Sequence, residues 1–294
     1  MNSLKANQEL RGLIYGVCGM MIFSITLPAT RMALMEFDPI FVALGRSVVA
    51  AILSLFLLIA TRQPVPNWRF LPSFLIMIIG GIVGFPLLST LAMRDASASH
   101  GSVIVGLLPL ATAFFGVWRA GERPSPNFWV FAIAGTILVV SFALLSSKGT
   151  LQLSDLALLG AVATASFGYA EGTILARTFG SWQVVCWALV FSSPALLPIV
   201  LQHLPQVIPS FSSSAGLGFW YVSFFSMFLG FVAWYRGLFL GGIARVGQLQ
   251  LFQPFLTILA SALLLGESVT FSNFGFAVGV IVCVALGRRR VATE

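Results

Sequence analysis

The chain has 294 residues, 58% of them hydrophobic and only 9% charged, with a mean hydropathy of +0.98. So few charged groups cannot clothe a water-soluble surface of this size, which excludes an ordinary soluble domain and places the chain in a bilayer. The formal net charge of +7 comes from Lys and Arg residues scattered between apolar runs, which makes no basic patch for nucleic acid and fits membrane orientation instead.

A bilayer core takes about 20 apolar residues per helix. On that ruler the sequence predicts an all-α membrane protein of ten transmembrane helices, at about 12–33, 39–61, 70–91, 98–119, 126–146, 154–176, 183–202, 216–240, 244–265 and 270–287. The first run reads as a retained span, not a signal peptide, because no small-residue cleavage site precedes a soluble domain. The joints carry turn chemistry: Asp38-Pro39, Pro64-Val65-Pro66, Pro124-Ser125-Pro126, and the stretch from Pro205 to Ser214. Basic residues counted on alternate sides of these spans divide twelve against three, with Arg46 inside the second span. By the positive-inside rule both termini are then cytoplasmic. Cys18, Cys186 and Cys283 lie in apolar runs without metal-ligand spacing and read as small buried side chains.

The fourth and ninth spans share a design. Pro109 is followed by an apolar run and Gly121-Glu122; Pro254 is followed by another and Gly266-Glu267, 13 positions on in each case. The copies are 145 residues apart, about half the chain, which reads as a duplication into 1–148 and 149–294. Phe131-Ala132 and Phe276-Ala277 keep that offset, whereas Gly84-Phe85 and Gly230-Phe231 match with one residue of slippage. Phe23-Ser24 and Phe167-Gly168 sit at similar depth in the first helix of each half. Five spans per copy is an odd number, so the second copy enters the membrane inverted, an architecture that holds solutes near the midplane between the halves.

Within the spans, Pro109 and Pro254 each remove a backbone donor, which either shapes packing or makes a hinge that opens carbonyls to a substrate ammonium. Gln248, Gln250 and Gln253 are amides in an apolar helix, serving either as interhelical glue or as hydrogen-bonding groups for a zwitterionic solute. Ser99, Ser102, Gly106 and Pro109, with Ala244, Gly247, Leu251 and Pro254, make small-residue stripes suited to a close helix crossing or to ligand contact. Trp187, Trp234, Tyr235, Phe167 and Tyr169 are core packing or the aromatic wall of a cavity. Ser24 and Ser102 complete the candidate substrate-binding set with Gln250, Gln253 and those aromatics.

Charge inside a membrane is the more telling class. Arg46 is expected to pair with backbone carbonyls or a polar partner in a structural role. Glu171 is either an interfacial acid or a proton-coupling carboxylate. His100 reads as a wet loop histidine at the start of the fourth span. Glu122 and Glu267 are expected to accept hydrogen bonds from backbone donors where the next helix starts. With His100 and His203 the sole histidines, the sequence offers no zinc-hydrolase spacing, no Gly-x-Ser-x-Gly elbow and no paired carboxylates, so neither an enzyme nor a cofactor or metal is expected.

The paired Pro…Gly-Glu endings and the Arg46 that follows Pro39 resemble the drug/metabolite transporter superfamily, in its EamA-type ten-helix branch, along essentially the whole chain. Within that family the sequence is most similar to bacterial inner-membrane exporters of aromatic amino acids. The resemblance implies a central cavity lined by helices one, three, four, six, eight and nine, a small-molecule substrate such as an amino acid or similar metabolite, and a surface in contact with membrane lipids. The sequence departs from the twofold pattern at Arg46, which has Val190 near its partner position. It also lacks the paired core basic residues of phosphate-carrying members. The other reading that stays open is a broad metabolite or drug exporter whose aromatic wall accepts apolar cations.

Overall fold

The computed structural model describes residues 2–120, 126–146, 152–206, 210–241 and 246–287; among these every regular element is helical and no strand is present. Seven continuous helical stretches are long and apolar enough to cross a membrane, and three shorter apolar helices lie at Trp129–Phe142, Gln253–Leu265 and Phe271–Cys283. Among the described residues of the ninth expected span, a 3₁₀ turn at Gln248–Phe252 precedes the α-helix Gln253–Leu265. Exposed side chains on the outer faces are apolar, Phe56 at 75% and Leu263 at 76% among them, which suits lipid as the solvent.

The first stretch is α1 (Asn2–Ser24) followed, after a break at Ile25, by α2 (Thr26–Ala33). Helix α1 thus starts well before the apolar run. Helix α3 (Pro39–Ala60) opens with Pro39 in its first turn, and the Asp38 carboxylate accepts from the amides of Ile40 and Phe41 at 2.8 and 3.2 Å. Both devices satisfy donors that a helix start leaves orphaned. The third stretch runs from α4 (Leu71–Met77) through a wide π-type turn, Ile78–Gly84, into α5 (Phe85–Ala92). The fourth is α6 (Ala98–Val105), a break, and α7 (Leu108–Ala120), followed by α8 (Pro126–Ser146).

In the second half, α9 (Leu153–Phe179) is unbroken and is capped by Gln152 and Asp155, which bond reciprocally to each other's backbone. Gly180, at φ +90°, turns the chain into α10 (Ser181–Gln202). The stretch after it runs from α11 (Ser214–Trp220) through a second π segment, Tyr221–Gly230, into α12 (Phe231–Gly241). A 3₁₀ turn at Gln248–Phe252 leads into α13 (Gln253–Leu265), and α14 (Phe271–Gly287) follows. Helix α13 ends at Gly266 in the left-handed region, φ +65°.

The packing partners are reciprocal. Helix α1 lies along α12, as α9 lies along α5 and the first π segment; α3 lies against α10, α6 against α13 and α8 against α14. Glycine makes the two cross-half approaches close. A Cβ on Gly80 would stand 2.6 Å from the Thr164 carbonyl oxygen, and one on Gly237 would stand 2.8 Å from the Gly16 nitrogen.

Pro109 and Pro254 are corrected in one respect. Each was expected to bend a continuous helix, yet each is the second residue of the helix after a break, α7 and α13. Proline is tolerated in a first turn because its missing N–H is an orphan there anyway. The small-residue stripes meet at this point: a Cβ on Gly106 would come 3.2 Å from Pro254 Cγ. The cysteine expectation holds for Cys186 and Cys283, which are buried, and fails for Cys18, which faces outward from α1. An apolar run gives no sign of which side of a helix faces lipid.

Candidate functional site

The irregular segments converge. A small closed pocket of about 20 Å³ is lined by Phe23 and Thr26 from either side of the α1/α2 break, and by Phe85 just after the first π segment. Leu108 contributes from the start of α7, Ser226 from the second π segment and Phe231 from the helix after it. Gln250 and Gln253 reach in from the 3₁₀ turn and the start of α13, Tyr169 from α9 and Arg46 from α3. The volume holds about one water molecule, so this conformation is shut.

The pocket is polar without being satisfied. Thr26 and Ser226 share a hydrogen bond of 2.9 Å across the halves. By contrast Nε and Nη2 of Arg46 and Oε1 of Gln253 have no hydrogen-bond partner, and the Gln250 amide meets only the Tyr169 hydroxyl, without a well-formed hydrogen bond, although all three residues are buried. Leaving such groups unmade is costly, about 1–3 kcal/mol per neutral group and more for a charge. The backbone is better served: the Gln253 amide donates to the Gln250 carbonyl, so that carbonyl is not left open by Pro254.

The structure brings together only part of the expected set. Gln250, Gln253 and Tyr169 line the pocket. Trp234 and Tyr235 stand behind it: Trp234 lies 6.2 Å from both Phe23 and Tyr169 by ring centroids, and the Tyr235 hydroxyl donates to the Gly168 carbonyl at 3.1 Å. Trp187 packs on Phe191 at 5.4 Å, away from the lining, and Phe167 stacks on Trp118 at 5.7 Å near the end of α7. Ser24 and Ser102 turn back onto their own helices, donating to Met20 and Ser99 carbonyls at 2.8 and 2.7 Å. That local bond is the usual recourse of a serine within a helix.

Arg46 requires a correction. No polar partner holds the atoms named above, and no acidic residue lines the pocket. The next residue, Ser47, donates to the Ile82 carbonyl at the π segment at 3.0 Å. Missed by the sequence reading altogether are Phe23, Phe85 and Phe231 as lining residues, and the Thr26–Ser226 pair. The Gly84-Phe85 and Gly230-Phe231 match was the available signal, since both phenylalanines enter the pocket.

Toward each end of the molecule stands a charged group with partners. Where α6 begins, Glu267 accepts from the amides of Ala98 and Ser99 at 2.9 Å each and from Ser99 Oγ at 2.7 Å, with Arg31 Nε at 3.7 Å. Arg31 also donates to the Ala96 carbonyl. The helix start that Glu267 serves is therefore not the next one but one far back in the chain, which makes α6 and α13 antiparallel. Glu122 lies outside the described residues, as does the side chain of Gln248. His100 is no wet loop residue: Nε2 lies 2.7 Å from Asp155 Oδ1 and the ring stacks on Phe142 at 4.9 Å. These groups border a wider open cleft that includes Asn273 and Thr270. At the other end Glu171 is 1% exposed and takes Arg119 Nε at 2.9 Å and Nη2 at 2.5 Å, so it is a buried, ion-paired acid. Among the described residues no group of His, Cys, Asp or Glu could hold a metal ion.

The model of the EamA-like transporter family matches residues 10–145 and again 152–287. The chain belongs to that family. It is 46% identical over 283 residues, covering 96% of this chain and 99% of the relative, to the Bacillus subtilis (strain 168) protein named Uncharacterized transporter YdeK. It is 26% identical over 229 residues, 75% of each chain, to the Uncharacterized inner membrane transporter YicL of Salmonella typhimurium. A solved structure titled "Crystal structure of protein" superposes with a TM-score of 0.67 at 18% identity, covering 94% of this chain and 95% of that one, and shares the fold. With its apolar helices and its match along both halves, this EamA-family chain is a multi-pass membrane transporter.

Proposed function

We propose that the chain exports amino acids, aromatic and other neutral ones, by alternating access between two inverted five-helix halves, 1–148 and 149–294. The observation that carries this is the convergence of broken helices on one closed pocket in which Nε and Nη2 of Arg46 and Oε1 of Gln253 have no hydrogen-bond partner among the described residues. Irregular backbone inside a membrane is tolerated where it lines a cavity, and discontinuous helices from paired repeats are how many secondary transporters build a midplane site. The antiparallel α6 and α13, the reciprocal packing and the two family matches support ten crossings in two inverted copies.

In this reading the Arg119 end faces the cytoplasm with both termini, and the Glu267 end faces out, following the basic-residue asymmetry. The two junctions alternate in opening. The Gln250 and Gln253 carbonyl oxygens take the substrate ammonium, and Tyr169, with Phe23, Phe85 and Phe231, takes an apolar or aromatic side chain. Glu171 is the candidate proton-coupling carboxylate, and unchanged transport by Glu171→Gln at every pH would remove it from that role.

A resistance assay against toxic amino-acid analogues, followed by transport in proteoliposomes with labelled phenylalanine and threonine, tests the function. Efflux of both, competed poorly by a quaternary amine, is expected. Equal competition by the amine favours the second reading, a broad metabolite or drug exporter, which the aromatic lining alone also fits. Tags after residues 122 and 267 should report opposite membrane faces; the same face for both ends the inverted reading.

A further inference from the structure

The charge of the pocket restricts what can enter it. Arg46 is 1% exposed, lines the pocket from α3 and has Nε and Nη2 without partners. A guanidinium stays protonated in proteins and carries donors in a fixed planar fork. Among the described residues the acids at or near the core are engaged elsewhere: Glu171 with Arg119, Asp155 with His100, and the half-buried Glu267 with the start of α6 and Arg31. An unpaired ion inside a membrane protein is strongly unfavourable, and among the described residues no group pairs with Nε or Nη2 of this one.

We infer that Arg46 is the anion anchor of the central site, so that the transported solute must carry a carboxylate or similar oxyanion, and a solute whose only charge is positive is rejected. This deepens the proposed function and rests on the pocket being the transport site. Two parallel N–H donors of a guanidinium match the two oxygens of a carboxylate, and charge-assisted bonds of this kind are the strong ones. The Gln250 and Gln253 oxygens then complement an ammonium on the same solute, without a protein carboxylate that would hold a lone cation. The site is built to read a zwitterion by its negative end first.

The test varies the ligand before the protein. Purified full-length chain in nanodiscs is titrated with L-phenylalanine, L-phenylalaninamide, phenethylamine and 3-phenylpropionate, with saturable binding read by thermal shift. The two carboxylates should bind about ten- to hundred-fold more tightly than the amide and the amine, the loss expected when a buried charge partner is missing. Arg46→Gln and Arg46→Lys, each checked for a monodisperse peak, should narrow that preference, the lysine retaining part of it. Amide or amine binding as tight as the carboxylates, or no saturable binding by either carboxylate, overturns the inference. If 3-phenylpropionate binds and phenylalanine does not, the anion anchor stands and the amino-acid reading fails. If phenylalanine and its amide bind alike, the amino-acid reading stands and the anchor fails.

Discussion

The buried central pocket and the half-buried junction at the start of α6 are both polar and both shared between the halves, yet they are opposite in how their polar groups are served. At the junction Glu267 takes two backbone amides, a hydroxyl and a guanidinium, so the charge is spent holding the fold. In the pocket Nε and Nη2 of Arg46 and Oε1 of Gln253 are buried with no hydrogen-bond partner. Satisfied networks fix a structure, whereas unsatisfied ones mark a place where a partner arrives. The contrast separates residues whose polar groups the fold uses from those that the proposed function assigns to the solute.

The largest effect should come from breaking the served side. Glu267→Ala orphans the α6 donors and frees Arg31, and should lower stability by about 2–4 kcal/mol, read as a drop in the thermal unfolding midpoint in detergent. Glu267→Gln, which keeps an acceptor, should recover about half. Next, Glu171→Gln should cost about 1–3 kcal/mol, below the usual loss for a buried pair because Arg119 is 35% exposed. On the unserved side the pattern should invert: Gln253→Leu should leave stability within about 1 kcal/mol of the parent, or raise it, while transport falls about tenfold or more. A comparable stability loss there would make Gln253 interhelical glue and erase the contrast. The smallest changes belong to Ser24→Ala and Ser102→Ala, each within about 0.5 kcal/mol and neutral in transport, since both hydroxyls serve their own helices.

Much of the fold was readable because bilayer thickness and turn chemistry act locally: Asp38-Pro39 and Gly266 sit at helix ends as their spacing requires. The repeat was readable through Pro109 and Pro254, which mark matching breaks. The π segments were not, because Ile78–Gly84 and Tyr221–Gly230 are glycine-containing apolar runs with no polar face to carry a period, and only the one-residue slippage at Gly84 and Gly230 hinted at them. The partners of polar residues were hidden for a different reason. Glu267 bonds to a residue 169 positions away, a pairing that only the tertiary packing defines. Arg46 was visible as a charge in a membrane span, but the lack of a partner for its Nε and Nη2 emerges only from the packing of the described residues. Aromatic content pointed to a wall and misplaced two of its members, Trp187 and Phe167, because large rings fill lipid-facing and interhelical gaps as readily as cavities.

The most direct test of the central claim is accessibility at Ser226, which is buried against Thr26 in the shut pocket. Ser226→Cys, in a chain whose Cys18, Cys186 and Cys283 are replaced by alanine, is treated with a small membrane-impermeant thiol reagent in right-side-out and in inside-out vesicles. Alternating access to this pocket predicts labelling from both faces, slowed on both by L-phenylalanine. Labelling from one face only, or at a rate indifferent to the amino acid, would contradict it.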